Sequence, residues 1–164
     1  MNAKDMRILY DYNYWANARV LNAAALVGQD QFIAPGGVGH GSLRGTLVHI
    51  LTAEWGWRQR CQEGVSPGVM LSERDLPTLA AIQDLWRAEE QAMRTFLASL
   101  DDADLARSMA YTTTRGVPYE NTLWHLLVHV VNHGTQHRAE AAMLLTGYGQ
   151  SPGDLDFIIF LRGK

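Results

Sequence analysis

A single cysteine, Cys61, stands in a chain of 164 residues, so no internal disulfide can form and packing alone must hold the fold. That usage fits a reducing, cytoplasmic setting. No apolar run approaches the ~18 residues needed to span a bilayer. Charge of one sign is also missing. Fourteen Lys and Arg against 17 Asp and Glu leave a net charge of -3, with no basic stripe and so no footprint for nucleic acid. The first fourteen residues carry Lys4, Asp5, Arg7 and Asp11, unlike a signal peptide. There is no internal repeat or low-complexity tract. The glycine cluster from Gly36 to Gly41 lacks the Lys-Ser/Thr of a phosphate-binding loop, and no strand precedes it. It reads as a flexible connector that can line the mouth of a site.

What is present suits one globular domain over residues 1–164, with 47% apolar and 19% charged residues. A chain of this size buries roughly 70% of its unfolded surface. Periodicity predicts a first helix over residues 3–27, with Met6, Leu9, Val20 and Ala24 on one face, Asn13 and Asn17 in its middle, and Tyr12 and Trp15 off it. Ser42 caps a second helix running to about residue 63, with the stripe Leu43, Ile50, Trp57 and Cys61. His49 flanks that stripe beside Thr46, Ala53 and Gly56, whose small side chains leave space. After a loop over 64–77, a third helix runs from Thr78 to about Leu100. Glu89 lies at the centre of its apolar face, an unusual place for a carboxylate. Residues 101–120 are not helical; they predict a short hairpin, turning at Arg115-Gly116 and returning through Val117-Pro118-Tyr119. The fourth helix spans 122–146 and ends at Gly147, and the apolar tail from Leu155 to Leu161 packs back as a short helical turn. The sum is an all-α four-helix bundle with a crossover connection and a short β-hairpin before the last long helix.

The fourth helix carries His125, His129, His133 and His137, each four residues after the last. At 100° per residue, with His133 at zero, Leu126 and Leu144 project at about +20°, His137 at about +40° and Val130 at about +60°. His129 falls at about -40° and His125 at about -80° on the same wheel. So His133 and His137 point inward, one turn apart, close enough to share a metal. A catalytic metal site commonly takes three protein ligands and keeps one open position. His49 is the inward candidate for the third ligand, and His40 in the glycine loop is a weaker one. Three imidazoles suit zinc or nickel, with iron or manganese as the other options. Glu89 is the candidate catalytic base; the competing reading is a hydrogen-bonded carboxylate bridging helices. Arg60, about three turns beyond His49, can meet an anionic substrate or simply be solvated. Cys61 has no evident base and is not a nucleophile candidate. The Glu-x-x-His pairs of di-iron bundles are missing at the inward positions.

Trp15-x-Asn17, Leu47-Val-His49-Ile-Leu51 and His129-Val-Val-Asn-His133-Gly-Thr-Gln-His137-Arg138 resemble the DinB family of metalloenzyme-like proteins over almost the whole chain. The resemblance implies a crossover four-helix bundle, a homodimer, and a divalent metal held by His49, His133 and His137. It also implies chemistry on a small-molecule substrate, with some relatives acting as transferases of a low-molecular-weight thiol, and an association with stress. The alternative is a stress-associated metal-binding or dimerisation module whose metal is structural. The family often continues its last motif as His-Arg-Gly-Gln. Here it reads His137-Arg138-Ala139-Glu140. Glu140 projects beside the metal face, where it can accept a hydrogen bond from a ligand imidazole.

Overall fold

Asn2 opens the first helix by accepting from the Asp5 amide at 2.8 Å, and α1 runs over Ala3–Ala24. The computed structural model describes residues 1–163 apart from Val38, Val65, Thr114 and Arg115. The chain is mostly helical, with one small antiparallel sheet. After α2 (Gln29–Ile33), Ser42 caps α3 (Leu43–Arg58) through the Gly45 amide at 2.9 Å. α3 passes into a π-helical turn, Gln59–Glu63, which Gly64 ends in the left-handed region at φ 68°. Thr78 caps α4 (Leu79–Ala98), and α5 (Asp102–Ala106) follows. Strands β1 (Ser108–Thr112) and β2 (Pro118–Thr122) pair with Ser108 opposite Thr122 and Tyr111 opposite Tyr119. α6 (Leu123–Gly147) and α7 (Phe157–Arg162) complete the chain. No helix among the described residues is long and apolar enough to cross a membrane.

Two stretches expected to be irregular contain helix. The loop over 28–41 holds α2, anchored by the buried Phe32. The break at Asp101-Asp102 is itself a capping signal: Asp101 accepts from the Asp104 amide at 2.8 Å and Asp104 from the Asp101 amide at 3.0 Å. The buried Leu105 then fixes α5 on α6. α1 stops at Ala24, short of Gly28, which instead caps α2. Past α6 the left-handed residue is Gly149, at φ 77°. Of the expected hairpin turn, Gly116 takes φ 76°, and Arg115 lies outside the described residues. The tail does pack back. Phe157 meets Tyr12 at 5.2 Å between ring centroids and Phe160 meets Trp15 at 5.7 Å, covering the two α1 aromatics that project off its main face.

The long helices share two apolar clusters. One gathers Met6 and Tyr10 of α1, Met93 and Leu97 of α4, and Leu123 and Leu127 of α6. The other gathers Val20, Leu47 and Leu51, Ile82 and Trp86, and Leu145. Between them lies a polar layer drawn from all four long helices. Glu54 of α3, 1% exposed, accepts from Asn13 at 2.7 Å, Asn17 at 2.9 Å and the Trp86 indole at 2.9 Å. Arg138 of α6 donates to Asn13 Oδ1 at 2.5 Å, to Asn17 Oδ1 at 2.9 Å and to Thr135 at 2.9 Å. Arg58 makes a two-pronged pair with Glu89 at 2.6 and 2.9 Å.

Gly134 makes room for this layer. A Cβ there would stand 2.7 Å from Arg138 Nη1 and 3.1 Å from Asn13 Oδ1. Gly134→Ala would improve helix propensity by ~1 kcal/mol. The variant is nonetheless expected to be destabilised, because overpacking typically costs about 1–3 kcal/mol and displacing Arg138 would take the donor from Asn13 Oδ1. Urea denaturation checks this; a variant more stable than the parent would refute the close fit.

Candidate metal centre

One turn of α6 separates His133 from His137, and their ring centroids lie 4.4 Å apart. α3 brings His49 to them: its Nε2 is 3.0 Å from His133 Nε2, and its ring centroid is 4.5 Å from that of His137. Two nitrogens bound to one metal at ~2.0–2.1 Å stand roughly 2.9–3.4 Å apart for angles of 90–109°. The 3.0 Å separation falls within that interval. His137 gives its Nδ1 to Glu140 Oε2 at 2.7 Å. That bond makes Nδ1 the protonated nitrogen and leaves Nε2 to face its neighbours, the arrangement typical of a metal-bound histidine.

His40 joins the cluster. Its ring stacks on His49 at 3.5 Å, and among the described residues it is His40, His49 and His137, rather than the expected set with His133, whose ring nitrogens all lie within 4.8 Å of one another. The glycine loop is shaped to deliver it. Gly39 and Gly41 take φ 65° and 83°, and a Cβ on Gly45 would collide with the His40 carbonyl. A Cβ on Gly39 would meet Thr46 Oγ1 at 2.6 Å and Glu140 Oε2 at 3.0 Å. The loop therefore sits directly against the His137–Glu140 pair. Val38 lies outside the described residues.

Burial, reinforced by the neighbouring imidazoles, pushes both His49 and His133 down to about 4. Burial also lowers His40. At neutral pH these rings are uncharged and carry the free lone pair a metal needs. The unfolded chain, whose histidines titrate near ~6.5, takes up protons first as pH falls. The metal-free protein is therefore expected to be fully stabilised by these groups above about pH 6.5 and to lose that contribution as pH drops toward about 4. A melting-temperature series checks it. The slope should shrink in the His49→Gln/His133→Gln double variant, and an unchanged slope would count against the assignment.

Beside the cluster runs a cleft of roughly 580 Å³ between α3 and the 64–77 loop, lined by His40, His49, Val48, Ala53, Met70 and Leu71. Of the small residues beside His49, Thr46 accepts from the His40 amide at 3.3 Å and does not line this space. Ala53 lines it, and Gly56 allows Met70 Cε to approach its Cβ position to 3.0 Å. The site thus offers imidazole nitrogens at the end of a mainly apolar trough.

The other candidates stand elsewhere. His125 and His129 are exposed, set against Trp124 and Trp57 at 4.0 and 5.1 Å between ring centroids; His129 borders the cluster, its ring 5.8 Å from that of His133. Both Glu89 oxygens are taken up by Arg58, nine residues and about 13 Å along α3 from His49. Cys61 is buried, its thiol pushed up to about 12 by burial, so it carries no thiolate at neutral pH. Arg60 is buried, with its guanidinium over the Trp57 ring at 4.7 Å. Sequence reasoning missed Glu54. Its signal was present: Glu54 and Arg58 continue the row Leu47, Leu51 at helical spacing, so both face inward.

Helical architecture and clustered imidazoles together define a histidine-rich helical protein able to hold a divalent metal ion. The profile of the DinB family matches residues 1–164, and the chain belongs to that family. It is also similar to Protein DinB of Bacillus subtilis (strain 168), with 25% identity over 167 residues, covering 93% of this chain and 92% of that protein.

Proposed function

We propose that this chain is a divalent-metal-dependent enzyme whose ligands are His49, His133 and His137, acting on a small molecule in the cleft beside α3. The observation that carries the reading is the 3.0 Å approach of His49 Nε2 to His133 Nε2, next to a His137 already oriented by Glu140. Bound there, zinc, nickel, iron or manganese would supply Lewis acidity and lower the pKa of a bound water or thiol. The protein supplies the rest. Glu140 holds the His137 tautomer. Val48, Ala53 and Leu71 wall the cleft with apolar surface and limit water beside the reacting group. Thiol transfer is the favoured reaction: a sulfur–carbon bond forms on an electrophile, the thiol proton is released, and the leaving group departs with its electron pair. Hydrolysis is the second possibility on the same site. Glu89 has no catalytic part in this reading: its two oxygens are occupied by Arg58, and it bridges α4 to α3 as a hydrogen-bonded carboxylate.

The wider frame is one domain over residues 1–164, built as a four-helix bundle. α1 and α6 run one way between the two apolar clusters and α3 and α4 the other, with the crossover in the connection through 64–77. A homodimer is supported by apolar side chains left open on α7, Phe157, Ile158 and Ile159 among them.

The test is turnover of a thiol with a panel of electrophiles by zinc-, nickel- and manganese-loaded protein. Activity should vanish on chelation, return with metal, and be lost in His133→Ala. Full activity in the chelated protein would end the proposal. His40 supports a second reading. Four histidine ligands would close the site, the mark of a structural metal. In that case chelation lowers the melting temperature, no electrophile is turned over, and X-ray absorption of the zinc protein counts four imidazoles.

A further inference from the structure

Arg60 is the buried cation that nothing described so far employs. It is 7% exposed, and among the described residues its Nε has no hydrogen-bond partner and no carboxylate pairs with it. The other two buried arginines have side-chain partners: Arg58 has Glu89, and Arg138, whose Nε is likewise unpartnered, has Asn13, Asn17 and Thr135 on its terminal nitrogens. A desolvated guanidinium without an anion costs stability, so its retention needs a reason. Its location offers one. Arg60 lies in the π-helical turn at the end of α3, and such turns are frequent at functional sites. Its Nη1 is 3.7 Å from the Cβ position of Gly56, and Met70 Cε is 3.0 Å from that same point. Met70 lines the cleft that begins at His40 and His49. Gly56 stands seven residues after His49, on the same face of α3 and about 10 Å along its axis. Trp57 holds the guanidinium from one side, and Arg107, reaching the Cys61 carbonyl at 3.4 Å, adds positive charge nearby.

We propose that Arg60 binds the anionic end, a carboxylate or a phosphate, of an extended substrate whose other end reaches the histidine cluster about 10 Å away along α3. The link to the histidines rests on the metal-centre reading above; the anion site itself does not. A guanidinium held against an aromatic ring, with its Nε unpartnered among the described residues, binds such oxygens through charge-assisted, often two-pronged hydrogen bonds. The substrate class is therefore a molecule with an apolar or extended middle, an anionic terminus, and a thiol or other metal-seeking group at the opposite end.

The test separates the two ends. Octanoate, octyl phosphate and 1-octanol are titrated into the metal-free full-length protein by calorimetry. At least one anion should bind about tenfold more tightly than the alcohol, a difference of about 1.4 kcal/mol. The better of the two names the source. Arg60→Gln should erase the preference, Arg60→Lys should keep part of it, and His133→Ala should leave it intact. The melting temperature of Arg60→Gln should be unchanged or raised, whereas a merely structural arginine would lower it. Equal binding of all three probes, or a preference that survives Arg60→Gln, overturns the anion site. In zinc-loaded protein, 8-mercaptooctanoate should bind more tightly than octanoate, with that gain lost in His133→Ala. No gain in zinc-loaded protein would overturn the shared cleft. Failure of the protein to take up zinc would instead sink the metal reading and leave the Arg60 result standing.

Discussion

Glu54→Ala is expected to lower stability by about 3–5 kcal/mol, the usual cost of leaving a buried charge uncompensated. For a chain of this length that corresponds to a melting-temperature drop of roughly 6–20 °C. The effect should be large because, among the described residues, Glu54 is the carboxylate that Asn13 and Asn17 link to Arg138. Asn13 and Asn17 each donate to it and each accept from Arg138, so the two charges are bridged by amides rather than touching. Burial raises the Glu54 carboxyl and lowers the Arg138 guanidinium; the Asn13 and Asn17 hydrogen bonds and the Arg138 charge act against the shift at Glu54. Removing Glu54 leaves Arg138, 1% exposed, with only the neutral acceptors Asn13, Asn17 and Thr135 and no counter-charge beyond them. Replacing both, as Glu54→Leu with Arg138→Met, should recover much of the loss, since apolar replacement of a complete buried pair is often neutral or better. A loss below ~1 kcal/mol for Glu54→Ala, or no recovery in the double variant, would show that the two charges are not coupled.

His133→Ala and His49→Ala carry the second large effect. Metal content, measured by mass spectrometry on protein purified without chelator, should fall from about one ion per chain to under a tenth in either variant. Loss of an outer partner typically costs ~10–100-fold in affinity, so Glu140→Gln should weaken binding by that amount while leaving stoichiometry intact at saturating metal. Loss of a ligand should cost more. His125→Ala and His129→Ala should change nothing, since both side chains are exposed and lie against tryptophans instead. Equal losses across all four α6 variants would mean that the helix has been damaged rather than a site.

Much of this was legible in the sequence because helical periodicity is a strong signal. The α4 face of Ile82, Trp86, Glu89, Met93, Phe96 and Leu100 is buried in full. His133 and His137 turn toward His49 as the projection about the α6 axis requires. The glycine-rich connector does line the site mouth, with His40 at its tip. What escaped was set by short-range capping or by contacts between distant residues. α2 and α5 are single-turn helices, too short for periodicity to mark, and the Asp101/Asp104 capping box that starts α5 looks like a polar break. Glu54 escaped because attention to one stripe of α3 overlooked the adjacent row, where a charge can be buried only if Asn13, Asn17 and Trp86 converge on it. The sequence left Arg60 open between an anion contact and plain solvation because the π-helical turn, and Trp57 lying beneath its guanidinium, are tertiary features.

The claim at the centre of this account is that His49, His133 and His137 hold one metal ion. Anomalous diffraction from crystals of the wild-type protein, purified without chelator and collected above and below the absorption edge of the metal found by mass spectrometry, tests it most directly. The expected result is a single strong peak about 2.0–2.2 Å from one ring nitrogen of each of the three histidines. A map with no peak at the cluster, in protein carrying a full complement of metal, would contradict it.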